Sequence, residues 1–119
     1  MVNALKTVDG IGLGRPITEQ LTLCKDIIEG RTTSARGQAL DMNDFGLTAV
    51  ISGAQMPQVG SDHEPIDMSK AENVSAFLKD MSTWRREMIE DRDRREKFGG
   101  VVIRSVQAVP YVGGLAPKL

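Results

Sequence analysis

The run SKAENVSAFLKDMSTWRREM, residues 69–88, leaves less choice of structure than any other part of this 119-residue chain. Val74, Phe77, Leu78, Met81, Trp84 and Met88 recur at three- and four-residue spacing, which puts them on one stripe of an α-helix. Ser69 and Glu72 stand at capping-box spacing, where each side chain satisfies the other's free backbone N–H. The following run EDRDRREK, residues 90–97, is charged on every face and reads as a solvated helix end held by local ion pairs, with Gly99–Gly100 as the stop. The spacing thus predicts a helix over 69–97 that must bury its apolar stripe against the rest of the chain or a partner.

The remaining elements are shorter. Thr18 can cap a helix running to about Glu29, with Leu21, Cys24, Ile27 and Ile28 as a narrow apolar stripe and Gly30 as a left-handed C-terminal cap. In front of it, residues 8–14 alternate Ile11 and Leu13 with glycines, as in a buried strand that something approaches closely, and Pro16 stops that strand. Asn43 or Asp41 can cap a short helix over 43–53 through Phe45, Leu47, Val50 and Ile51, ended by Gly53, with Pro57 and Gly60 as breakers beyond. SDHEPID, residues 61–67, reads as a surface connection. VVIRSVQAVPYVGG, residues 101–114, has a strand-like composition, and Pro110 confines any strand there to an edge or an end. The expected fold is mainly α with one or two short strands.

Charge and cysteine content narrow the function classes. Fifteen basic against sixteen acidic residues leave a net charge of −1, which gives no electrostatic footprint for nucleic acid. Cys24 is the sole cysteine, so an internal disulfide is impossible and a reducing compartment is implied. No apolar run approaches the roughly 18–20 residues that cross a bilayer, and MVNALKT lacks the apolar core of a secretory signal. A single soluble, cytoplasmic domain with neither a membrane nor a nucleic-acid partner is expected.

The stretch GIGLGRP, residues 10–16, is the main candidate for chemistry. Gly10, Gly12 and Gly14 lie two apart and invite comparison with the dinucleotide fingerprint G-x-G-x-x-G, but the sixth position is Arg15 from Gly10 and Ile17 from Gly12, so the pattern fails. Gly14 and Arg15 together suit a phosphate: a glycine lets an anion approach the backbone, following N–H groups and a helix N-terminus favour it, and an arginine fork can clasp its oxygens. The plainer alternative is a tight strand-to-helix turn with an exposed arginine.

DGIGLGRP (9–16), followed by an amphipathic helix ending at Gly30, resembles the last βα unit of the old yellow enzyme family, the FMN-dependent NADH:flavin oxidoreductases. The blocks ALDMNDFGLTAVISGAQMPQVG (39–60), EPIDMS (64–69), FLKDMSTW (77–84) and VPY (109–111) are similar, in the same order, to the long C-terminal extension of that family's fungal branch. The resemblance covers Val8 to Tyr111. It implies that residues 1–30 are the last strand and helix of a (β/α)8 (TIM) barrel and residues 31–119 a helical extension. It also implies FMN as cofactor, with its phosphate held at Gly14 and Arg15, chiefly by backbone N–H groups.

Two departures qualify that likeness. The family usually continues with an acidic residue or asparagine and then Pro-Asp-Leu, where this chain has Gln20, Leu21, Thr22 and Leu23; losing that proline and aspartate weakens the helix start and the negative charge beside its positive end. A barrel of this kind also takes about 250 residues, and the family's flavin-ring contacts, substrate-binding pair and proton-donating tyrosine all lie upstream of the segment matched here. Tyr111 matches the tail and not that proton donor. His63, the sole histidine, falls in a loop and reads as a surface residue. The scattered acids Asp41, Asp44, Asp62, Glu64 and Asp67 lack calcium-loop spacing. Cys24 reads as packing on a helix face, and no catalytic or metal-ligating residue is expected.

Two function classes follow. One is the C-terminal segment of an FMN-dependent oxidoreductase of the ene-reductase type, not catalytic alone and dependent on another chain, or a homo-oligomer, for the rest of the barrel. The other is a non-catalytic helical protein or interaction module derived from such an enzyme.

Overall fold

The computed structural model describes residues 2–14, 16–41 and 43–111. After a five-residue 3-10 turn at Val2–Lys6, four α-helices follow: α1 (Pro16–Glu19), α2 (Leu23–Ile28), α3 (Phe45–Gly60) and α4 (Ala71–Glu90). No strand occurs among the described residues; His63 and Pro110 form one isolated antiparallel bridge. The fold is mainly α, as expected, and neither anticipated strand forms among the described residues; positions 112–114 of the second lie outside them. Residues 8–14 have no neighbouring strand to pair with, and a strand without a partner leaves its backbone groups to water. Val8 and Ile11 are accordingly exposed.

α4 meets the prediction in its middle and departs from it at both ends. Phe77 is fully buried, and Val74, Met81 and Trp84 pack with it in the core, so this part of the stripe is the packing face, while Leu78 is exposed. The capping box does not form. Ser69 instead gives both its N–H and its hydroxyl to Asp67 Oδ1, at 3.0 and 2.6 Å, and the helix starts two residues later behind Lys70. A charged acceptor has outcompeted the helix end for the serine. At the other end α4 stops at Glu90, not Lys97. Asp91 turns inward and its Oδ2 accepts the Lys97 N–H at 2.7 Å, closing a turn. The charged run offers no apolar stripe to pack, so nothing carries the helix further.

α3 is longer than its sequence suggests. Its cap is Asp44, whose side chain accepts from Leu47 N–H at 2.9 Å; Asp41 serves instead as acceptor for Asn43 N–H in the preceding turn. Gly53 does not end the helix, and Pro57 lies inside it. Pro57 lacks the N–H that would bond to the Gly53 carbonyl, at a cost that tertiary packing offsets. Ile51, Ala54 and Gln55 on one face of α3 are all buried, with Ile51 and Ala54 in the core beside Ile66, Met68, Phe77 and Val101. The 61–67 segment is therefore not a mere surface connection: Pro65 and Ile66 are buried, and Met68 just beyond is fully enclosed.

The C-terminal segment is fixed by a side chain where a sheet ladder was expected. Asp80 on α4 accepts from Arg104 N–H (2.7 Å), Ser105 N–H (2.9 Å) and the Ser105 hydroxyl (2.7 Å). Burial by itself would raise the Asp80 carboxyl, but these three donors outweigh it and hold the group below its ordinary range. Trp84 Nε1 adds a bond to the Gly99 carbonyl at 3.2 Å, and Val101 enters the core between these ties.

Three outcomes follow. Phe77→Ala removes the central core side chain and is expected to cost about 3–5 kcal/mol in chemical denaturation. Asp44→Ala removes a cap worth about 1 kcal/mol. Because the folded Asp80 titrates below its unfolded value, its contribution is complete above about pH 4 and disappears as the pH falls through the folded value. Asp80→Asn should therefore weaken the acid loss of stability, and Asp80→Ala should cost about 2–4 kcal/mol at neutral pH.

Candidate functional site

The residues after the GIGLGRP turn form the most heavily tied polar cluster in the chain. Pro16 does not merely stop a strand; it occupies the first position of α1, where its missing N–H is not needed and its fixed φ suits the helix. The single turn that follows projects Thr18, Glu19 and Gln20, and each bonds to the 31–119 part of the chain. Thr18 is therefore inside a helix and not its cap. Its hydroxyl donates to Gln55 Oε1 at 3.0 Å, and Gln55, itself buried, passes the connection on to the Ile66 carbonyl at 3.0 Å. Glu19 is 6% exposed; its Oε1 accepts from Met68 N–H at 3.1 Å and its Oε2 from Gln38 Nε2. Gln20 Oε1 accepts from Arg36 N–H at 2.6 Å, and the Arg36 guanidinium pairs with Asp67 at 2.6 Å.

The predicted helix over 18–29 is accordingly broken. A turn at Gln20–Thr22 separates α1 from α2, because Gln20 is drawn to Arg36. Leu23 becomes the fully buried residue of α2, while Cys24 and Ile28 face outward, so Cys24 is a surface thiol and not a packing residue. Gly30 has the left-handed φ of +73° expected of a helix stop, and its N–H bonds to the Ile27 carbonyl. Thr22 and Arg31 both bond to Asp26, which holds that carboxyl below its ordinary range.

The electrostatics of the cluster are set by burial. Desolvation raises the Glu19 carboxyl; the bonds from Gln38 and Met68 and the charge of Arg36 reduce the rise without cancelling it, and Asp67 adds to it. At Asp67 the balance is reversed. Burial would raise it, but the two bonds from Ser69 and the nearby Arg36 and Lys70 hold it low. Gln38 Oε1 is buried and has no hydrogen-bond partner, so its amide has one unsatisfied acceptor facing the seam. A polar cleft of about 250 Å³ opens beside these residues, lined by Glu19, Gln20, Thr22, Arg36, Glu64 and Tyr111. It is smaller than the roughly 300–1,000 Å³ of typical ligand pockets. Among the described residues no group of histidine, cysteine and carboxylate side chains is placed to hold a metal ion.

Of the two residues expected to hold a phosphate, Arg15 lies outside the described residues. Gly14 sits exposed at a bend, and a Cβ added there would meet nothing within 4 Å, so its backbone is open to an approaching anion. Pro16 has no N–H to offer, and the Ile17 N–H is engaged by the Gly14 carbonyl at 3.1 Å. Gly14 thus leaves room beside its backbone, while Pro16 and Ile17 offer no free N–H to a phosphate. His63 is half-buried, its N–H bonded to the Gln58 carbonyl, and Tyr111 N–H bonds to the Asp62 carbonyl, tying the tail to the 61–64 loop. Sequence reasoning missed Glu19 and Gln38. A lone glutamate among other polar residues reads as solvent-facing, and only the tertiary approach of Met68 and Gln38 shows otherwise.

These features define a helical segment whose N-terminal turn is bonded directly to the α3–α4 core. No protein-family model matches the chain. It is similar to the NADH-dependent flavin oxidoreductase nadA of Aspergillus parasiticus, with 36% identity over 92 residues, 77% of this chain. The chain spans about a fifth of that relative's length, 21%. The similarity supports the flavin oxidoreductase resemblance in broad terms.

The raised Glu19 carboxyl has a sign that can be checked. A group whose folded value lies above its unfolded value contributes stability below the unfolded value and loses it as the pH rises through the folded one. Glu19→Gln, with the Gln38 amide turned over so that its oxygen accepts, keeps both bonds without the buried charge. It should leave stability at neutral pH within about 1 kcal/mol of wild type and remove the Glu19 part of the loss above about pH 4.3, read from denaturation midpoints against pH.

Proposed function

We propose that this chain is the C-terminal segment of an FMN-dependent NADH:flavin oxidoreductase of the ene-reductase type. Residues 1–30 would supply the last strand-and-helix unit of a (β/α)8 barrel, and residues 31–119 the helical extension of the fungal branch. The observation that carries this reading is the 36% identity over 92 residues to the Aspergillus parasiticus oxidoreductase. In such an enzyme the reduced flavin supplies the hydride that reduces an activated C=C bond, and the protein positions and encloses it. On this reading Gly14 offers the open backbone that the flavin phosphate approaches, and Arg15 offers its guanidinium. The chain alone is not catalytic, because one such turn does not enclose a flavin ring and a barrel takes about 250 residues. The remaining strands come from further polypeptide or from another copy, and the single exposed Cys24 suits a reducing cytoplasm.

The shape of the chain is consistent with a segment that packs on something larger. Its radius of gyration is 16.5 Å, against about 13.5 Å for a compact domain of this length. Phe45, Ile28, Leu5 and Val8 are all exposed. A second reading, a helical interaction module derived from such an enzyme, is favoured by the separate core that α3, α4 and Val101 enclose.

The two readings diverge when FMN is added and free flavin removed. The isolated chain should retain no visible flavin absorption, and co-expression with a polypeptide carrying the remaining barrel strands should restore it. A helical chain that stays colourless in both cases supports the interaction module. Gly14→Ala gives a sharper check. With open space at that Cβ, the substitution should change stability by less than about 1 kcal/mol while weakening flavin retention in the assembled protein.

A further inference from the structure

We infer that Glu19 is the positioning residue through which the helical extension holds α1, and with it the bend at Gly14, in place. The turn has little of its own to hold it: residues 8–12 and Gly14 are exposed, and α1 behind them is a single helical turn. α1 is nevertheless fixed on one side by three consecutive side chains, all bonded to partners in 36–68. Glu19 is the central one and the most buried of them. Its two carboxylate oxygens reach different strands of the backbone path: Oε1 takes the Met68 N–H and Oε2 takes the Gln38 amide, while Ala39 N–H bonds across to the Met68 carbonyl at 3.1 Å. One carboxylate therefore joins α1, the 36–40 loop and the entry to α4. Thr18 and Gln20 flank it with neutral bonds to Gln55 and the Arg36 N–H, each weaker than a bond to a charged acceptor. The consequence for flavin, that the extension sets the readiness of the phosphate-side turn, rests on the function proposed above; the clamp itself does not.

Amide hydrogen exchange on the flavin-free chain tests the clamp, so its failure is distinct from any failure to bind flavin. In Glu19→Ala, the hydrogen-bonded amides of Ile17, Gln20, Arg36 and Ala39 should exchange about tenfold faster or more, from the loss of both bonds to the carboxylate, while the middle of α4 keeps its protection. Glu19→Gln, which keeps an acceptor for Met68 N–H and a bond to Gln38, should stay near wild type. Unchanged exchange at those four amides in Glu19→Ala, or equal opening in Glu19→Gln, overturns the inference. If Glu19→Ala also strips α4 of protection, Gln38→Leu decides: local opening at those amides with α4 intact sustains the clamp, and wild-type exchange there refutes it.

Discussion

Carboxylates that accept backbone N–H groups take over, in this chain, the work that a β-ladder does elsewhere. The non-helical segments have no strand to pair with among the described residues, so their amides need other acceptors or water. Asp80 supplies them for Arg104 and Ser105, Asp91 for Lys97, Asp67 for Ser69, and Glu19 for Met68. Each is a charged acceptor, and such bonds are roughly twice as strong as neutral ones. The apolar core alone is small, six buried side chains centred on Phe77. Asp80 ties the 104–105 segment to α4 and Glu19 ties α1 to the entry of α4, while Asp67 and Asp91 close local turns.

This arrangement makes the fold sensitive to protons in two opposing senses. Asp67 and Asp80 receive more from their donors than they lose to burial, so they favour the folded state in the ionised form. Glu19 has fewer donors for its degree of burial and is driven the other way. The difference is one of burial set against donors: Glu19 is the more desolvated and receives two bonds, whereas three converge on Asp80 and outweigh its burial. The surface ion pairs around Glu87 add little to this balance, since Lys97 and Arg104 reach it at 3.7 and 3.5 Å from exposed positions.

What the sequence disclosed is what periodicity encodes. Val74, Phe77, Met81 and Trp84 form the packing face of α4, and Gly30 is the left-handed stop it was expected to be. What it hid is governed by contacts between distant residues. Pro57 and Gly53 favour ending α3, yet the burial of Ile51, Ala54 and Gln55 carries the helix past both. Ser69 and Glu72 match a capping box, yet Asp67, two residues before, takes the serine. Alternating Ile11 and Leu13 resemble a strand, and a strand cannot be judged without its neighbour. Of the candidate site, Gly14 was legible as an open backbone position, whereas the Thr18–Glu19–Gln20 seam carries no local signal at all.

That seam also bears on how the chain divides. The function proposed above would put a boundary near residue 30, between a barrel unit and an extension. In the folded chain the three most strongly tied residues of the first part find their partners in the second, at Arg36, Gln38, Gln55 and Met68. A boundary crossed by a buried carboxylate is not a flexible linker, because separating the two sides would expose or strand a charge that now has its donors.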